Sequence, residues 1–261
     1  MNIDYIIIYS IITGILIASS LASVGCIVLW RNVGYFGEAI SHASLIGVIL
    51  SVVFSIDITI SLIVFALGFS LVVFLLRNVK ISSLMSLIVS YGLLSFGVVF
   101  LSLYKRINFD IMSLLFGDVL LVNNVDLWFS VIIITSISLW FWLRWDQILY
   151  SSLNQEMAFV SGVNISKISL EFFIIVSLVI AMSIKIVGIL MVTAMLIIPA
   201  AAASNISSSP KEMVFKSVLI AIISLVLGFV ISFILDTTTG PTIVLVSGFI
   251  FISLLFCKRL F

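Results

Sequence analysis

Charge is what this chain has least of. Asp, Glu, Lys and Arg make up 9% of its 261 residues, hydrophobic residues 63%, and mean hydropathy is +1.44. A soluble domain carries about a quarter charged residues. Too few polar side chains exist to cover a water-facing surface, which excludes a soluble globular protein and leaves an integral membrane protein. The net charge of +1 offers no basic surface, so nucleic acid is not an expected partner. The two cysteines, Cys26 and Cys257, stand alone in apolar runs, with no CxxC and no Cys/His cluster, and read as packed membrane cysteines. No GxxxxGK[ST] occurs, so any ATP-driven process needs its ATPase from another subunit. No polar mature region follows the first apolar segment, which therefore reads as a retained span rather than a cleaved signal.

Apolar runs are what is there instead. A span needs roughly 20 such residues. Candidates lie at about 3–30, 36–54, 57–76, 83–104, 127–145, 168–184, 186–206, 213–235 and 242–257. They are too long and too continuously apolar for barrel strands, which alternate. The expected fold is all-α: a polytopic transmembrane helix bundle of about eight to nine spans, in a single domain over residues 1–261. With the N-terminus outside, Arg31, Arg77, Lys80, Arg144, Lys167, Lys211, Lys216, Lys258 and Arg259 fall inside. Lys105, Arg106 and Lys185 fall outside, so the basic residues follow the positive-inside rule. If the stretch 168–206 around Lys185 is one broken or re-entrant helix, parity flips for one half of the chain, and the short 36–54 segment carries the same risk.

Small residues recur at every fourth position in the first span (Gly14, Ala18, Ala22), a spacing that lets helices approach closely. Pro199 is expected to kink its helix, and the four alanines after it permit tight packing. Residues 105–126 hold Asp110, Asp118 and Asp126 around the apolar run MSLLF, and read as a loop or short helix on the outer mouth. Residues 146–167 read as an inner connection. Within them QEMAFVSG has good helix formers with Gly162 as a C-terminal stop. Such a segment is either a docking element for a partner or a plain connecting loop.

The chain's only histidine, His42, lies four residues after Glu38, so both share a helix face, with Ser41 beside them. Ionisable groups at membrane depth are costly and usually face a cavity or a partner. One reading is an internal hydrogen bond that fixes packing; another puts Glu38 at the membrane surface, close after Arg31. The functional reading is a transition-metal pathway, since imidazole and carboxylate both suit such ions. Two ligands are too few for a structural zinc site, but a pathway must release its ion. A second copy of the chain would bring the set to four. Coordination requires a neutral imidazole, whose reference pKa is about 6.5. Asp236, in LDTTTGP, is expected either at the entry mouth or as a cap on the next helix, with Gly240 and Pro241 forming a turn.

Five stretches together resemble one family: WRNVGYFGEAISHASLIGV (30–48), INFDIMSLLFGDVLLV (107–122), NQEMAFVSGVN (154–164), IKIVGILMVTAMLIIPAAAAS (184–204) and DTTTGPTIVL (236–245). In order and spacing they are similar to the membrane permeases of bacterial ATP-binding-cassette importers for zinc, manganese and iron, most of all the zinc-uptake branch. The resemblance covers essentially the whole chain. It implies a multi-pass protein of the bacterial inner membrane that works as a homodimer. Two cytoplasmic ATPase subunits would drive it, and an extracytoplasmic binding protein would deliver the metal. Glu156, Ala158 and Gly162 match the family's cytoplasmic coupling element. His42, Asp118 and Asp236 match the family pattern, while Glu38 stands where the family usually has Asp. The long His-rich loop of some zinc importers is missing.

The resemblance further implies a transport subunit rather than an enzyme. It would hold no resident cofactor, and the divalent cation, zinc before manganese or iron, is its cargo. Nucleotide can drive the cycle only by binding the two ATPase arrangements differently. Two other classes remain to be separated: a secondary transporter driven by protons through Glu38 and His42, and a membrane scaffold that moves nothing.

Overall fold

The computed structural model describes residues 3–76, 83–103, 115–117, 124–153 and 155–260. Among these residues there are helices and no strands. In chain order they are α1 (Ile3–Trp30), α2 (Gly34–Ala43), α3 (Leu45–Phe54), α4 (Ile58–Leu76), α5 (Ser83–Leu103), α6 (Asn124–Leu153), α7 (Gln155–Val160), α8 (Ile165–Val187), α9 (Ile189–Ile206), α10 (Pro210–Leu235) and α11 (Thr239–Leu260). Among the described residues eight candidate spans are long and apolar enough to cross a membrane, with α2 and α3 together making one of them, Gly34–Phe54. The apolar stretch of α5, Ile88–Leu103, is shorter. Every segment expected from hydropathy is therefore helical.

Several boundaries move. Residues 146–153, read as the start of a loop, continue α6, because Ile148 and Ser151 on that stretch find buried positions. Asp126 belongs to the first turn of α6 rather than to a loop. Gly240 and Pro241 lie inside the first turn of α11 rather than in a turn before it. Proline is tolerated there because its missing N–H would have no intrahelical partner. Cys26 is buried as expected, whereas Cys257 is exposed; both thiols are free. Of the acidic residues read in 105–126, Asp110 and Asp118 lie outside the described residues.

The chain divides into two compact units, one of Met1–Leu29, Ile111–Ile137 and Ser183–Phe261, the other of Trp30–Asp110 and Ser138–Met182. In the first, α9, α10 and α11 pack on one another. The small-residue stripe of α1 works as close-packing surface here. Ala18 and Ala22 are fully buried, Gly14 faces Leu225, and the Ser217 hydroxyl donates to the Ala22 carbonyl at 3.1 Å. Gly25 lies so near α9 that a Cβ would overlap the Leu196 carbonyl oxygen. Pro199 sits buried inside α9 without ending it. Gly188, at φ 88, separates α8 from α9, and a side chain there would strike the backbone of residues 115–117. So 165–206 is two helices joined by Gly188, and each holds a candidate span of its own, Ile165–Lys185 and Ile189–Ile206.

One ion pair joins helix ends within this unit. Lys185 Nζ donates to Asp126 Oδ2 at 2.6 Å. The acid stands in the first turn of α6 and the lysine in the last turn of α8, where each complements its helix dipole. The contact places both residues at one end of the unit.

In the second unit α2 packs on α5, and α3 on α4 and α5. Seryl and threonyl hydroxyls along the spans mostly donate to the carbonyl four residues back, for example Ser44 to Ile40 at 2.7 Å and Ser177 to Phe173 at 2.6 Å. Hydroxyls placed in apolar surroundings are satisfied this way without a partner from another helix.

Candidate functional site

The break at Ser44 shapes the first candidate site. Ser44 closes α2 and opens α3, its N–H donating to the Ile40 carbonyl. Gly47 follows in α3, packed against Leu62 and Phe65, and its carbonyl accepts the Ser61 hydroxyl at 2.6 Å. These contacts hold the start of α3 against α4, directly after the last turn of α2. That turn carries His42, which is 6% exposed.

Glu38 is half-buried, one turn earlier on the same face. Its Oε1 accepts a 2.7 Å hydrogen bond from the Tyr91 hydroxyl of α5. The Tyr91 ring also lies against the imidazole, with centroids 5.1 Å apart. Two buried polar atoms of α2, His42 Nδ1 and Ser41 Oγ, have no hydrogen-bond partner among the described residues. Unpaired buried polar atoms are rare in folded proteins and need an explanation such as an absent water or ion. Tyr91 stays 49% exposed, so one side of the Glu38–His42–Tyr91 group is not covered by this chain. No cluster of three or more His, Cys, Asp or Glu suited to a metal exists among the described residues. One chain therefore supplies one carboxylate and one imidazole here, fewer than the four ligands of a structural zinc site.

Tyr91 had no local signal in the sequence. It lies 53 residues from Glu38 inside an apolar run, and only the packing of α5 on α2 brings it there.

Asp236 is not gathered into this group. It closes α10 in the left-handed conformation (φ 52), its N–H donating to the Ser232 carbonyl, and it is exposed. It ends the preceding helix rather than capping the next, because Thr237 turns back to Ser232 through two hydrogen bonds, one in each direction.

The second candidate is α7. It ends in a Schellman motif: Val163 N–H donates to the Ala158 carbonyl at 2.9 Å, and Gly162 N–H to Phe159 at 3.0 Å. Gly162 has φ 70, a conformation only glycine adopts freely. Asn164 then caps α8 through a bond from Lys167 N–H to its side-chain oxygen. Between these stops Ala158 is fully buried and anchors the helix. Glu156, Met157, Phe159 and Val160 are exposed, the last two at 79% and 87%. Large apolar side chains displayed this openly on a short polar connection mark an interaction surface.

Comparison with known proteins agrees along nearly the whole chain. The family model described as the ABC 3 transport family matches residues 3–258. The high-affinity zinc uptake system membrane protein ZnuB of Haemophilus influenzae is 34% identical over 255 residues, covering 96% of this chain and 97% of its own. The manganese import system permease protein ScaB of Streptococcus gordonii is 31% identical over 249 residues, covering 93% and 88%. Among solved structures, PsaBC from Streptococcus pneumoniae in complex with Fab superposes with a TM-score of 0.85 at 28% identity, over 95% of this chain and 90% of that one. An inward-facing metal-chelate type ABC transporter shares the fold, with a TM-score of 0.72 at 20% identity. The chain belongs to the ABC 3 transport family: it is a multi-pass membrane permease subunit, a component of transport and not an enzyme.

Proposed function

We propose that this permease carries zinc into the cytoplasm across a bacterial inner membrane, with Glu38 and His42 as ligands on the ion's path. The observation that carries this reading is the buried His42 Nδ1 without a partner, one turn from a carboxylate oriented by Tyr91. Imidazole and carboxylate suit zinc, manganese and ferrous iron alike. The choice of zinc rests on the zinc-uptake relatives, which are somewhat more similar than the manganese ones. Two ligands from one chain, with one side of the group uncovered, suit a homodimer in which a second copy supplies the other pair. Asp118 and Asp236 belong to the same proposed pathway, Asp236 at an exposed helix end.

Membership of an ABC importer calls for an ATPase and a substrate-binding protein. In this reading α7 is where the cytoplasmic ATPase docks: Glu156, Met157, Phe159 and Val160 face the partner, Ala158 roots the helix, and Gly162 fixes its exit. The binding protein meets the opposite face. Pro199 opens one hydrogen bond inside α9, where the gate would flex. Zinc is cargo, held weakly enough to leave.

The test is radioactive zinc uptake in cells lacking their own importer, expressing the chain with its ATPase and binding protein. Wild type and His42→Ala are compared at equal membrane levels, with excess manganese present. Uptake that requires the ATPase, persists in manganese and disappears with His42→Ala is expected. Uptake unchanged by the substitution would return His42 to a packing role, and transport of manganese or iron in place of zinc would overturn the substrate.

A further inference from the structure

Arg31 makes a further polar centre in the unit that holds Glu38, and no transport step uses it. It follows the last residue of α1, and Asn32 after it turns the chain at φ 54. Asparagine tolerates that left-handed conformation better than most residues. The turn directs the guanidinium to the end of α6 and the start of α8. Its Nε donates to Ser152 Oγ at 3.1 Å, Nη2 to Ser151 Oγ at 2.8 Å and Nη1 to Ser169 Oγ at 3.3 Å, and its Cζ lies 4.7 Å over the Phe172 ring. No carboxylate pairs with it among the described residues. Partial burial lowers its pKa to about 10, so it remains charged at neutral pH.

Beside it lies a partly open cavity of about 200 Å³, lined by Arg31, the three serines and the apolar Val33, Ile165, Phe172 and Phe173. No acid lines it. A guanidinium has five N–H donors and three are used here. The Ser152 and Ser169 hydroxyls accept from Arg31 and have no acceptor of their own among the described residues. The polar groups free to serve this cavity are thus donors around one positive charge. Such a lining suits a ligand with acceptors only. The volume falls below the roughly 300–1,000 Å³ of pockets for drug-sized molecules, so the ligand is small or enters only by its head.

The cavity's depth in the membrane identifies its source. Arg31 lies between the spans Tyr9–Trp30 and Gly34–Phe54, and Ser151 and Ser152 are in the last turn of Val125–Leu153. Trp30, the residue before Arg31, packs edge to face on Trp145 with centroids 6.4 Å apart, and tryptophan is enriched at the headgroup level. Basic pockets between spans on the cytoplasmic side bind phosphorylated headgroups. We propose that the Arg31 cavity is a phosphate-binding site occupied by the headgroup of an anionic phospholipid.

The test is a melting curve of the full-length chain in neutral detergent, with three probes: short-chain phosphatidylglycerol, a monoacylglycerol without phosphate, and inorganic phosphate. Wild type should melt higher by at least about 5 °C with phosphatidylglycerol at hundredfold excess over its Kd, and show no shift with monoacylglycerol. Arg31→Gln should lose most of that shift. Ser152→Ala/Ser169→Ala keeps the arginine, removes the two free hydroxyls and should lose about half, so the test survives if Arg31→Gln does not fold. A shift with inorganic phosphate equal to that with the lipid would overturn the lipid source and leave a free-anion site. An equal shift with monoacylglycerol, no shift with any probe, or full shifts in both variants would overturn the site itself. Zinc transport is not read in this assay, so its outcome is independent of the metal pathway.

Discussion

Asp126→Asn removes one charge from the Lys185–Asp126 pair and leaves its shape. The carboxylate is 5% exposed and the ammonium 19%. Breaking a buried pair by neutralising one partner costs about 3–5 kcal/mol, because the other charge stays buried without compensation. Lys185 keeps some exposure, which places the cost near about 3 kcal/mol. For a chain of this size that corresponds to a fall of about 6–12 °C in Tm. Replacing both residues, Asp126→Leu with Lys185→Met, removes two desolvation costs along with the attraction and should return Tm close to wild type. The assay is thermal unfolding of the detergent-solubilised full chain, followed by tryptophan fluorescence, for wild type, both single variants and the double variant. The reasoning fails if Asp126→Asn melts with wild type, or if the double variant is no more stable than the single ones.

Three further outcomes are expected. Tyr91→Phe loses the hydroxyl that holds Glu38 and should slow zinc uptake about fivefold, the equivalent of one hydrogen bond of about 1 kcal/mol, without lowering the amount of folded protein; uptake per folded molecule at wild-type rate would remove Tyr91 from the site. Gly25→Ala forces a Cβ onto the Leu196 carbonyl and should destabilise by about 1–3 kcal/mol despite alanine's better helix propensity, whereas Gly68→Ala, which meets nothing within 4 Å, should stabilise by up to about 1 kcal/mol; melting curves give both signs. Met157→Ala with Phe159→Ala should weaken co-purification of the ATPase at least about thirtyfold in affinity while Tm stays unchanged, since exposed anchors dominate binding and not folding.

Much of this molecule was legible along the chain. Helix placement follows from apolar run length, because a backbone in lipid must satisfy its own hydrogen bonds and a helix does so locally. The stop at Gly162 is likewise local, set by a left-handed glycine. Glu38 and His42 could be paired from spacing alone because a helix turn fixes it. Only the cap alternative for Asp236 went astray, since either side of a turn offers a helix end to cap; at 146–153 polar residues suggested a loop but buried partners extended the helix.

The sequence by itself determined the medium, the helices and the one carboxylate–imidazole face, since composition and a 3.6-residue period need no distant partner. Tertiary structure alone decided what that face meets. Tyr91 reaches Glu38 from 53 residues away, Lys185 finds Asp126 at 59, and Arg31 gathers serines from 120 to 138 residues along the chain. Apolar spans look alike in sequence, and which of their faces touch is settled by shape: where a glycine lets two backbones close, and where a bulky side chain holds them apart.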